Sequence, residues 1–177
     1  MADRIKPIVV LGIVCLVSAY LLGKVYSVTQ KKIEEEKALA LSSALSFVLP
    51  NAVRFEKVEE NLWLGYNEGR EKVGLVFQTF PRGYGGPIGI LCGIDTSGQV
   101  VGIRIAGPSE GFKETPGLGS KIREDKFLSQ FIGKGRERIR LQSEGGEIAA
   151  VTAATISSRA VCEGIREGIR IYEEYLK

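Results

Sequence analysis

Apolar and polar positions alternate with different periods along the chain, and each change of period marks a change of element. From Pro7 to Gly23 no residue is charged, and the 17-residue run PIVVLGIVCLVSAYLLG lies between Lys6 and Lys24. A spanning helix needs about 17–25 mainly apolar residues, and Lys24 can snorkel so that the helix also takes in Val25 to Val28. Arg4 and Lys6 would equally suit the basic n-region of a signal peptide. However, no small-x-small pair is followed by a shift to soluble composition, and Val14 is too bulky to precede a lipidated Cys15. The expectation is therefore a retained transmembrane anchor over residues 1–28. Its flanking charges, Arg4 and Lys6 against Lys24, Lys31 and Lys32, leave the orientation open.

Ser27 to Leu49 contains no Gly or Pro, and Ile33, Ala40, Leu41, Ala44, Leu45 and Val48 recur at three- and four-residue steps. That spacing predicts a helix continuing from the anchor as a stalk and docking helix (residues 29–50), stopped by Pro50-Asn51. Glu34-Glu35-Glu36 reads as its solvated face. The period then shortens, and strands are predicted over Ala52–Lys57, Leu62–Tyr66, Lys72–Thr79, Pro87–Asp95 and Val100–Ala106, the last two joined by a turn at Thr96–Gln99. A short helix is expected from Arg123 to Ile132, closed by Gly133, and one more strand over Arg138–Gln142. Ile156, Ala160, Val161, Ile165, Ile169, Tyr172 and Leu176 mark an amphipathic C-terminal helix. The expected fold class is α+β: one N-terminal transmembrane helix, then an antiparallel-sheet domain over residues 51–177 with a C-terminal helix.

Composition narrows the chemistry. The 177 residues carry 24 Lys plus Arg against 21 Asp plus Glu, too small an excess to argue for nucleic acid. There is no histidine, which removes Ser-His-Asp triads, Cys-His dyads, His-based metal sites and axial-His haem ligation. Cys15, Cys92 and Cys162 are too few and scattered for an iron–sulfur cluster. Cys92 and Cys162 either pair or are two buried free thiols. No metal and no catalytic side chain is expected; redox work would fall to an organic cofactor.

Three strings can carry a ligand. Arg82-Gly83-Tyr84-Gly85-Gly86-Pro87 lets backbone approach a flat molecule while Tyr84 stacks or hydrogen-bonds, although a plain loop before a strand would look the same. Gly111 to Lys121 holds a Pro116-Gly117 turn signal, with Glu114, Thr115, Leu118, Gly119 and Lys121 able to line a polar-rimmed apolar slot or simply a surface turn. Thr152, Thr155, Ser157 and Ser158 cluster where the last helix begins, where free amides and the positive dipole end accept phosphate. One N-cap with spare hydroxyls is the plainer alternative.

Taken together, GYGGPIG, the hairpin over Pro87–Ala106, KETPGLGSKI and TAATISS resemble the FMN-binding domain family. Its members include the G component of the Rnf electron-transport complex and the C component of the sodium-translocating NADH:quinone oxidoreductase. The likeness runs over nearly the whole chain, and the compact length is more like the Rnf component. It implies FMN joined by a phosphoester to the last threonine of a Ser/Thr-Gly-Ala-Thr motif, here Thr155, with Thr152 and Ala154 in the same string. A separate flavin transferase would make that bond. The ring would lie near Glu114, Thr115, Leu118 and Gly119, with Tyr84 at its edge and Lys113 or Lys121 stabilising reduced flavin. Three positions depart from the family pattern: Ala149 for an aspartate, Ala153 for the glycine, and Phe112 for a frequent histidine. Alanine at 153 is strained if that backbone has positive φ and comfortable if it is right-handed.

The same resemblance implies an electron relay, not a stand-alone catalyst, within an ion-translocating ferredoxin:NAD oxidoreductase. Its partners would be the other membrane and peripheral subunits, and its domain would lie outside the cytoplasm. The C component of the quinone oxidoreductase, or an assembly protein that has lost its flavin, are the alternatives.

Overall fold

In a computed structural model, residues 2–176 are described; Met1 and Lys177, the ends of the expected anchor and domain, lie outside them. The uncharged run lies within helix α1, Ala2–Val48, in which Val10–Val48 is long and apolar enough to cross a membrane. The chain divides into two compact units, Met1–Ser42 and Ser43–Lys177. In the first, Leu11, Leu16, Leu22 and Val25 are exposed.

The second unit is built on five strands: β1 (Arg54–Glu59), β2 (Leu62–Tyr66), β3 (Lys72–Thr79), β4 (Ile90–Asp95) and β5 (Val100–Ile105). They pair antiparallel in the order β1-β2-β3-β4-β5, each with its neighbour in sequence. β2 and β3 have the predicted bounds. β4 starts three residues later than predicted, at Ile90, because proline has no N–H for a ladder and Pro87 meets only Arg82 in an isolated bridge. The β4–β5 hairpin turns at Asp95, whose Oδ1 accepts the Ser97 and Gln99 amides at 2.8 and 3.0 Å.

Alternation along the strands makes two cores. Leu62, Leu75, Phe77, Ile90, Cys92, Ile94, Ile103 and Ile105 face helix α3 (Thr155–Tyr172), which contributes Ala160, Val161, Cys162, Ile165 and Ile169. Gly164 and Gly168 bring this helix close: a Cβ at Gly168 would overlap the Phe77 ring, and one at Gly164 would press on Pro81. On the opposite face Trp63, Val76 and Leu91 pack with Leu45, Val48, Leu49 and Ala52. There Gly93 and Gly102 form a trough, in which added Cβ atoms would collide with the Val48 carbonyl. The docking part of the predicted stalk is thus its last turn.

Two predicted elements differ. Arg123 to Ile132 is not one helix but a 3₁₀ turn (Gly119–Arg123), the four-residue helix α2 (Asp125–Leu128) and another 3₁₀ turn. Burial of Phe127 and Phe131, edge to face with centroids 5.3 Å apart, holds these pieces together. Arg138–Gln142 has the period of a strand, with Ile139 and Leu141 buried, but only Leu141 finds a partner, bridging Ile148. Gln142–Glu144 then turns through Gly145.

Candidate functional site

Three segments meet beside the N-terminus of α3. The Gly83–Gly86 loop packs against Lys113–Glu114, so closely that a Cβ on Gly85 would strike the Lys113 carbonyl and one on Gly83 the Glu114 carboxylate. Glu114 is only 7% exposed, and its Oε1 accepts the Gly85 amide at 3.1 Å. Gly119 completes the surround, since a side chain there would overlap the other carboxylate oxygen. The Glu-Thr-Pro-Gly string turns at Gly117, where φ is +77°, a backbone value that glycine adopts without strain. The Ser120 and Leu118 amides return to the Thr115 carbonyl at 3.1 and 3.3 Å. From the third side, Ser157 Oγ accepts the Tyr84 amide at 3.3 Å.

These contacts enclose a cavity of about 570 Å³ lined by Tyr84, Glu114, Thr115, Leu118, Gly119, Ala153, Ala154, Thr155, Ile156 and Ser157. The size is that of a small-molecule site, and the wall is apolar with a few polar groups. Tyr84, Leu118 and Ile156 are 73%, 46% and 53% exposed and rim it. Thr155 is exposed at the first position of α3. The N-cap of that helix is Ala154, which makes no side-chain capping bond despite the hydroxyls around it. The first amides of an α-helix have no intrahelical partner, so a positive end opens at Thr155.

Eight residues singled out from the sequence therefore line one cavity: Tyr84, Glu114, Thr115, Leu118, Gly119, Ala154, Thr155 and Ser157. Thr152 and Lys121 are exposed outside its wall, as is Lys113. Ser158 is fully buried and bonded to Val151 and Ala154. Two wall residues were not singled out. Ile156 reads as part of the apolar helix face, but the N-terminal turn overhangs the cavity and its side chain is exposed. Ala153 was visible only as a departure from the family, and its φ of +61° decides the open alternative in favour of the left-handed conformation. At Ala149, backbone N–H and C=O are both taken by the Gln130 amide, at 2.8 and 3.3 Å. Phe112 is buried with the Arg123 guanidinium 5.5 Å over its ring.

Neither domain cysteine joins the site. Cys92 and Cys162 are free and buried; burial pushes the Cys162 thiol up to about 12, with Glu144 and Glu163 adding to the shift, and burial raises Cys92 further. Among the described residues no group of three or more His, Cys, Asp or Glu side chains is placed to hold a metal. The site suits an FMN: a slot walled by Leu118, Ile156 and the Tyr84 ring accepts a flat aromatic, and an uncapped helix end accepts its phosphate.

Residues 83–170 match the FMN-binding domain family, so the class to which this cavity belongs is a flavin-binding domain. The chain is 32% identical over 194 residues to the G subunit of the Na(+)-translocating ferredoxin:NAD(+) oxidoreductase complex of Acetobacterium woodii, with 95% of this chain and 91% of that one covered. It is 28% identical over 163 residues to the G subunit of the proton-translocating ferredoxin:NAD(+) oxidoreductase complex of Clostridium ljungdahlii, covering 90% and 86%. It belongs to the family formed by the G subunits of ion-translocating oxidoreductase complexes. In fold it is similar to NqrC of Shewanella oneidensis, with a TM-score of 0.51 at 15% identity over 72% of each chain.

Proposed function

We propose that this chain is the flavin-carrying electron relay of a membrane-bound, ion-translocating ferredoxin:NAD oxidoreductase (Rnf) complex, with one FMN held by a phosphoester to Thr155. The observation that carries the attachment site is the exposed Thr155 hydroxyl at an uncapped helix N-terminus that opens into a cavity of the right size. A phosphodiester keeps a negative charge, which that helix end favours. A covalent link also lets a flavin stay at an open surface without being lost. Bound FMN supplies the electron-carrying chemistry. Around it, Leu118, Ile156 and Tyr84 hold the ring away from water, Thr115 and the Gly119 backbone offer polar contacts, and Glu114 keeps the two loops together. Thr152 and Lys121 would act from outside the wall.

Residues 1–28 form the anchor, 29–50 the stalk and 51–177 the domain, which lies outside the cytoplasm. The exposed apolar side chains from Val10 to Tyr26 support the anchor, and a single spanning helix leaves the partners, the other subunits of the complex, to be met within and beside the membrane. A flavin transferase loads the domain.

The test is co-expression of the full chain with a flavin transferase, followed by denaturation and peptide mass spectrometry. The Thr155 peptide gains FMN less one water, and Thr155→Ala abolishes the gain. An unmodified Thr155 peptide, with a control substrate modified in the same cells, would move the reading to a flavin-free assembly protein. The likeness in fold to NqrC favours a second reading, an NqrC-like component of a sodium-translocating NADH:quinone oxidoreductase. Affinity purification from the native membrane separates the two by the redox proteins that co-purify.

A further inference from the structure

The turn that delivers the chain to Thr155 is closed by the Ala154 amide, which donates to the Val151 carbonyl at 2.9 Å. Thr152 and Ala153 occupy its central positions. Ala153 has φ of +61°, a positive value where glycine alone is free of steric cost. Such a conformation persists only when its surroundings over-determine it.

Ser158, 0% exposed, supplies that determination. Its Oγ accepts the Val151 amide at 3.0 Å and donates to the Ala154 carbonyl at 2.9 Å, so that one hydroxyl grips both ends of the turn. Its own amide reaches the same carbonyl at 2.9 Å. A serine hydroxyl has one proton to give, and here it is committed and shielded from any phosphoryl group. The tip of the turn is exposed, so Ser158 is the contact that opposes the strain.

We infer that Ser158 is a positioning residue for flavin attachment, clamping the left-handed Ala153 turn so that the Thr155 hydroxyl is presented at the cavity mouth. The role rests on the reading of Thr155 as the attachment residue. In that step Thr155 Oγ bonds to the phosphorus of a flavin dinucleotide. The P–O bond to the nucleoside monophosphate breaks, and the hydroxyl proton passes to a base of the transferase. Ser158 touches none of these atoms and acts through the backbone of residues 151–154. A strained residue and the clamp that holds it are coupled, so removing the strain at 153 also removes most of the need for the clamp.

The test is the rate of FMN incorporation into the full chain in detergent by a flavin transferase, well below the melting temperature of each variant. It is read together with hydrogen exchange of the unmodified chain. Loss of two hydrogen bonds in Ser158→Ala slows incorporation roughly tenfold and speeds exchange over residues 151–155. In the Ala153→Gly background the same Ser158→Ala change slows incorporation by less than about threefold. A wild-type rate in Ser158→Ala, or a Ser158→Ala loss as large in the Ala153→Gly background as in the wild type, overturns the role and leaves Thr155 attachment standing. A wild-type chain that takes no FMN, while a control substrate does, overturns the attachment and this role with it.

Discussion

Glu114 Oε1 accepts the amide of Gly85 at 3.1 Å, and this bond ties the glycine loop to the Glu-Thr-Pro-Gly loop. The carboxylate is nearly enclosed, with Gly83 and Gly119 giving it room that no side chain could leave. Glu114→Ala therefore deletes the charged acceptor of a half-buried bond and costs about 1.5–3 kcal/mol in urea unfolding of the flavin-free protein. Glu114→Gln keeps an acceptor of the same shape and is expected to stay within about 1 kcal/mol of wild type. Equal losses in the two variants would mean that the negative charge, not the bond, matters.

Gly168 is where α3 meets Phe77. Ala usually strengthens a helix over Gly, by about 1 kcal/mol at an exposed site. At Gly168 the added methyl enters the Phe77 ring, and overpacking of this kind costs about 1–3 kcal/mol. Thermal melts should therefore show Gly168→Ala destabilised and Gly135→Ala, with nothing within 4 Å of an added Cβ, within about 0.5 kcal/mol of wild type.

Gly102 tests the other face. A methyl there pushes on the Val48 carbonyl, and Gly102→Ala is expected to lower stability by about 1–3 kcal/mol. It is also expected to speed proteolysis near Phe47, since the Val48–Leu49 segment is lifted from the sheet. Unchanged cleavage would show that the trough is not needed to hold the segment.

The buried thiols give a pH dependence with a definite sign. Cys162 titrates near 9 when unfolded and near 12 when folded. Between those values the unfolded chain has lost a proton that the folded chain keeps, so stability falls as pH rises. Cys92 acts in the same direction. Stability measured by denaturant unfolding from pH 8 to 10 is expected to fall progressively above about 9, less so in Cys162→Ala. Iodoacetamide at pH 8 is expected to modify Cys92 and Cys162 only after denaturation.

What the sequence makes legible follows from which contacts are local. β2 and β3 have their predicted bounds because Leu62, Leu64, Leu75 and Phe77 all face one core and period 2 is visible without knowing the partner strand. Arg138–Gln142 shows the limit, since Ile139 and Leu141 alternate as a strand does but the pairing goes no further than one bridge, Leu141 to Ile148. The glycines at 93, 102, 164 and 168 are unreadable for a related reason: what each makes room for lies far away in the chain. In the candidate site, Glu114, Leu118 and Thr155 follow from the resemblance to the FMN-binding domain family, and the structure places all three around one cavity. The sign of φ at Ala153, the burial of Ser158 and the outward turn of Ile156 depend on how the helix start sits over the cavity, which no local pattern encodes.

The strands pair in the order in which they are synthesised, so each hairpin can close as soon as its second strand has left the ribosome. Tyr84, by contrast, waits for a partner 73 residues downstream, the hydroxyl of Ser157. The sheet is thus finished before the cavity exists, and a chain interrupted after β5 would lack the surface that the proposed flavin loading needs. On the proposed attachment to Thr155, assembly order makes the last helix a checkpoint: only a completed chain offers the threonine.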